Sequence, residues 1–153
     1  MKPNNECSCD RCKSYCKRTG WFLPGEIEEV AKFLGLTLQQ LFDQKLGIDW
    51  WVSGEEWCEE DDVFILAPAT KNMTPGEEYP YNPKGECVFY KNELCEIHPV
   101  KPYECAMAYH TDTKVNEHEK IARAWVKEQQ QIIKLLGHKP QAKSGSFVDL
   151  LCG

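Results

Sequence analysis

Apolar residues recur at helical spacing in several separated stretches of this 153-residue chain. Pro24-Gly25-Glu26 opens the first, Ile27, Val30, Ala31 and Leu34 give it one apolar face, and Gly35 stops it. Thr37 reads as the next N-cap, with Gln40 completing a capping box, and Leu38, Leu41, Phe42 and Leu46 form the following stripe up to Gly47. Two short helices joined at one glycine predict a compact αα unit. Val63-Phe64-Ile65-Leu66 is a continuous apolar run of strand length. Residues 87–90 and 94–98 predict a hairpin turned at Lys91-Asn92-Glu93, and Pro102 can begin a helix running to about Tyr109. The longest helix is expected from near Asn116 to Gly137, with Glu119 making a capping-box-like pair at its start. Its buried stripe is Ile121, Ala122, Trp125, Ile132, Leu135 and Leu136. After Pro140, Phe147, Leu150 and Leu151 are expected to dock as a last short turn.

Two segments carry no clear period. Residues 49–66 hold Trp50, Trp51 and Trp57 around Glu55, Glu56, Glu59, Glu60, Asp61 and Asp62, a carboxylate run without the spacing and glycine of a calcium loop. Residues 70–85 form a polar connection containing Pro75, Pro80 and Pro83. The expectation is an α+β fold, mostly helical: a small single domain over residues 1–153 with a short β-hairpin. Its motif-bearing core spans about 7–110 and is followed by the long C-terminal helix and tail.

Composition narrows the function. A 42% hydrophobic content and five tryptophans argue for a folded globule, and 153 residues can bury a modest core. A net charge of −6 argues against nucleic-acid binding, which needs clustered Lys and Arg. No run approaches the roughly 20 apolar residues that span a bilayer. Met1 to Asp10 lacks the apolar stretch of a secretion signal, so a reducing cytoplasm is the expected compartment.

The cysteines change the picture most. Seven of nine fall into two groups: Cys7, Cys9, Cys12 and Cys16, then Cys87, Cys95 and Cys105. The odd count, the chain length and the expected compartment weigh against a disulfide scaffold. Thiolates drawn from two distant segments are what a soft metal ion requires. Cys9, Cys12 and Cys16 follow C-x2-C-x3-C, in which the first pair faces one ion from a single turn. Neighbouring Lys13, Lys17 and Arg18 favour the thiolate form.

These spacings resemble the cysteine-cluster family described as zinc- or iron-chelating proteins (the YkgJ-like, or CxxCxxCC, family). Cys9, Cys12 and Cys16 match the first, second and fourth cysteines of its opening C-x2-C-x2-C-C, and Tyr15 stands where the third would be. Its closing pattern is matched by Cys87, then by Cys95 with Lys101-Pro102 before Cys105, ten positions on. The resemblance covers roughly residues 9–109. It implies a metal-stabilised domain with Cys9, Cys12, Cys16, Cys87, Cys95 and Cys105 as ligands to zinc or iron, the latter including an iron–sulfur cluster. Some members are described as iron–sulfur oxidoreductases, and flagellin lysine methylases carry a related domain. An enzyme that uses the metal centre for redox or protein modification is therefore the alternative to a chelating protein.

Six thiolates exceed the four of a mononuclear zinc site or a cubane cluster. Some are therefore spectators, or thiolates bridge a polynuclear centre, or other residues complete two sites. Cys7, His98, His110 and His118 are the further candidates for metal ligation or support; Asp112 and Glu117 lie near the last two. Cys58 and Cys152 join neither group, and His138 is placed to cap the end of the long helix. No glycine-rich phosphate loop or nucleophile elbow is present. Radical S-adenosylmethionine enzymes use C-x3-C-x2-C, the reverse of the order here. The expected partner is the metal ion, with no nucleic acid and no membrane; the sequence identifies no protein partner.

Overall fold

The structure, a computed structural model, describes residues 19–51, 63–80, 85–107 and 117–141. Glu26–Leu34 forms α1 and Leu38–Lys45 forms α2. Both obey local rules. Gly35 takes φ 71° at the end of α1, a left-handed conformation that favours glycine. The Thr37 hydroxyl accepts from Gln40 N at 3.1 Å, and the Gln40 side chain accepts from Thr37 N at 2.9 Å, so the expected capping box is complete. Glu26 is buried at the start of α1, where Oε1 accepts from the backbone N–H groups of Leu23 and Tyr103. That carboxylate fastens the N-terminal end of α1 to a segment 77 residues away.

Leu46 does not continue the second helix. It starts β1, Leu46–Trp51, which pairs antiparallel with β2, Val63–Pro68, from Leu46↔Pro68 to Trp51↔Val63. The apolar spacing from Phe42 to Leu46 fits a helix turn. The ladder overrides it because Leu46, Ile48 and Trp50 also alternate as a strand requires. β2 is buried from Phe64 to Pro68, as a strand covered on both faces must be, and it extends two residues past the expected apolar run. A two-residue strand β3, Glu77–Glu78, lies parallel to β1 on its other edge.

The expected hairpin is present but shorter. Tyr90–Lys91 (β4) pairs with Leu94–Cys95 (β5), and Asn92 and Glu93 both take positive φ in the two-residue turn. Cys87 lies outside this hairpin and forms an isolated antiparallel bridge with Thr70. Cys105 sits on α3, Tyr103–Met107, after a 3-10 turn at His98–Val100.

The single long helix expected over 116–137 is interrupted. Glu117–Trp125 (α4) and Gln129–Leu136 (α5) are separated by a 3-10 turn at Val126–Glu128. Gln129 explains the break. Its Nε2 donates to Trp125 O at 2.7 Å, taking the carbonyl that a continuing helix would use. The same amide accepts from Phe64 N and donates to Phe64 O, both at 3.0 Å, so it also finishes the start of β2.

The core lies between the β1–β2 ladder and the helices, around Phe22, Leu41, Phe42, Ile48, Ile65, Leu66, Phe89, Ile97 and Trp125. Trp125 is fully buried, and its Nε1 donates to Phe22 O at 2.6 Å. This contact and Phe22 N donating to Leu66 O at 3.0 Å hold residues 19–23 against the sheet and α4. Among the described residues, no helix is long and apolar enough to cross a membrane. The small α+β class matches expectation.

Candidate functional site

Among the described cysteines, Cys105 packs against the start of the described chain, and Cys87 shares the surroundings of Tyr79, which bonds Thr19. Cys87 is buried, while Cys95 and Cys105 are partly buried. Gly20 packs so closely on Cys105 that a Cβ there would lie 2.5 Å from Cys105 Sγ and 3.2 Å from its backbone nitrogen. A side chain at this position would force Cys105 Sγ to turn aside and the neighbouring backbone to shift.

Tyr79 joins the same place from the far side of β1. Its ring crosses Gly47, where a Cβ would lie 2.6 Å from Cε1. The Tyr79 hydroxyl donates to Pro68 O and is hydrogen-bonded to Thr19 Oγ1 at 2.7 Å. Burial pushes the phenol well above its ordinary pKa of 10; the Thr19 bond opposes this, while Asp49, Cys87 and Cys105 add to it through negative charge. Cys87 and Cys105 therefore both lie within electrostatic reach of one buried hydroxyl, and that hydroxyl holds Thr19.

Thr70 stands beside Cys87. Lys71 N donates to Glu86 O at 2.8 Å and Val88 N to Ala69 O at 2.9 Å, so these two bonds flank the Thr70↔Cys87 pair. That pattern defines a non-hydrogen-bonded antiparallel pair, the closer of the two kinds, with both side chains on one face. Thr70 is 4% exposed, and its Oγ1 has no hydrogen-bond partner among the described residues.

A second cluster adjoins Cys105. Trp21 N donates to Glu104 Oε1 at 2.9 Å, and Trp21 Nε1 donates to Asp49 Oδ2 at 2.7 Å. The other Asp49 oxygen accepts from Trp50 N at 2.8 Å, and the other Glu104 oxygen meets His118 Nε2 at 2.9 Å. The His118 ring lies on Trp21, with centroids 4.3 Å apart, and Trp51 meets both rings edge-on at about 6 Å. Burial raises the Asp49 pKa above 3.8; bonds from Trp21 and Trp50 oppose it, Glu104 raises it further and His118 lowers it. One residue, Trp21, thus ties the incoming chain to β1 and α3 through two carboxylates.

Of the sequence-derived candidates, Cys87 and Cys105 share the neighbourhood of Tyr79, and Cys95 lies in β5 opposite Tyr90. His98 begins a 3-10 turn and is partly buried; His118 is held by Glu104 with 47% of its side chain exposed. Cys7, Cys9, Cys12, Cys16 and His110 lie outside the described residues. Among the described residues, no group of three or more His, Cys, Asp or Glu side chains is arranged to hold a metal ion. The described thiols therefore do not close a site by themselves. Trp21, Asp49, Thr70, Tyr79 and Glu104 were not apparent as site residues in the sequence. The adjacency of Glu104 to Cys105 and of Thr19-Gly20 to the first cysteine group is the only linear signal for any of them.

No family model, no curated protein and no solved structure matches this chain. Two thiols, Cys87 and Cys105, share the surroundings of Tyr79, and the buried Thr70 hydroxyl, without a partner among the described residues, stands across the ladder from Cys87.

Proposed function

We propose that this protein is a cytoplasmic metal-binding protein of the YkgJ-like cysteine-cluster type. Cys9, Cys12 and Cys16 join Cys87, Cys95 and Cys105 to hold zinc or iron, and the metal ties the N-terminal segment to the rest of the domain. The observation that carries this reading is the delivery of Thr19 and Gly20 to Tyr79 and Cys105. Thr19 follows Cys16 by only three residues in the sequence. This short connection supports a reading in which the first cysteine group meets the second. The described cysteines lack a complete ligand set, and the N-terminal thiols would supply the remainder.

A structural zinc would contribute folding free energy on the order of 10 kcal/mol, whereas an iron–sulfur cluster would add electron transfer. The chain's own residues set the frame for either. Tyr79 and Thr19 hold the approach of the N-terminal segment, Gly20 leaves room beside Cys105, and Glu104 fixes Trp21.

The test is replacement of one cysteine from each group. Cys12→Ser and Cys95→Ser, purified under the same conditions as the parent protein, should each lose bound metal. Wild-type metal content in both variants would overturn the assignment.

A further inference from the structure

We infer that the Thr70 hydroxyl is the hydrogen-bond donor that serves the Cys87 sulfur in the metal-bound protein. The inference rests on the metal-binding reading and adds a residue that tunes the centre. A buried polar atom left without a partner is rare and costly, so each one needs a physical reason. Among the described residues Thr70 Oγ1 is such an atom, in a residue only 4% exposed. Apolar residues of the same shape were open to this position: Phe64 to Ala67 before it are uniformly apolar and buried.

The register supplies the reason. Thr70 and Cys87 are a directly opposed non-hydrogen-bonded pair, so their β-carbons are about 4.5–5.5 Å apart on one face of the ladder. At that spacing a rotation about χ1 can bring a threonine hydroxyl to the opposed sulfur. A neutral thiol is a weak acceptor, but a metal-bound thiolate carries charge and accepts well, and hydrogen bonds to ligand sulfur tune metal centres. The hydroxyl thus gains its partner when Cys87 becomes a thiolate. Val88 N is committed to Ala69 O, which leaves that amide unable to serve the same sulfur.

The experiment is titration of the full-length chain with Co(II), read by thiolate-to-cobalt charge-transfer absorption, with Zn(II) competition to obtain affinity. Thr70→Val keeps shape and β-branching but removes the donor; Thr70→Ser keeps the donor. Thr70→Val should weaken binding by about 10- to 100-fold and shift the charge-transfer band, whereas Thr70→Ser should stay close to wild type. In metal-free protein Thr70→Val should be at least as stable as wild type, because the lost hydroxyl had no partner. This pairing of weaker binding with undiminished stability is not the signature of a merely structural threonine. Affinity within about twofold of wild type in Thr70→Val, or equal weakening in Thr70→Ser, would overturn the role of Thr70 while leaving the metal site intact. A wild-type chain that gives no charge-transfer band would overturn the metal-binding reading itself, and the inference with it.

Discussion

Gly20→Ala perturbs the contact on which the account depends. The added Cβ would lie 2.5 Å from Cys105 Sγ, 3.2 Å from Cys105 N and 3.4 Å from Glu104 Cβ. The sulfur can turn away, but the backbone nitrogen cannot, so either α3 or the 19–23 segment must shift by a few tenths of an ångström. Overpacking of this kind costs about 1–3 kcal/mol. At about 2–4 °C per kcal/mol for a domain of this size, the melting temperature should fall by several degrees. Metal affinity should fall as well, because the shift separates Cys105 from the segment that carries Cys16. Gly25→Ala is the control. Its Cβ would meet nothing within 4 Å, but its φ of 90° strains any L-residue, so it should cost stability without changing metal affinity. Thermal unfolding of both variants and metal titration of each separate the two effects. Unchanged melting and unchanged affinity in Gly20→Ala would refute the reasoning, as would an equal loss of affinity in Gly25→Ala.

Two further outcomes follow from the described contacts. Trp125→Phe should lose about 2–4 kcal/mol in denaturant unfolding, since it strips the bond to Phe22 O and leaves a void at a fully buried site; a loss below about 1 kcal/mol would contradict that packing. Asp49 has a folded pKa above its ordinary 3.8, so the native state holds more protons than the unfolded state between the two values. The stability it supplies is complete below about pH 3.8 and is lost as pH rises through the folded pKa. Asp49→Asn should therefore improve relative to wild type as pH is raised from about 3.5 to neutral, checked by melting temperatures across that range. An opposite slope would mean that the carboxylate is stabilised by its partners more than it is penalised by burial.

What was legible in the sequence was local. Thr37 and Gln40 lie three residues apart and Gly35 ends α1 by its own backbone, so both helices followed from short-range rules. Leu46 fits two periods at once, and only its pairing with Pro68 decides for the strand. The break after Trp125 comes from Gln129 reaching Phe64, 65 residues away, which no helical pattern records. The same holds for the site. The cysteine groups were visible as spacings, but Tyr79, Thr70, Asp49 and Glu104 act through contacts that exist only after folding. Trp21 and Glu104 are separated by 83 positions, and Thr19 and Tyr79 by 60. Cys87 shows the limit well. Its neighbourhood to β4 suggested a hairpin strand, while the actual bridge to Thr70 sets its surroundings.

The most direct test of the central claim is the metal and sulfide content of the full chain purified without oxygen, with its visible spectrum. The account predicts zinc or iron bound in stoichiometric amount. A colourless zinc protein would identify a structural or chelating centre, and a brown protein with iron and sulfide would identify a cluster. A folded chain with all nine cysteines present, neither metal bound and no uptake of added zinc or iron would contradict it.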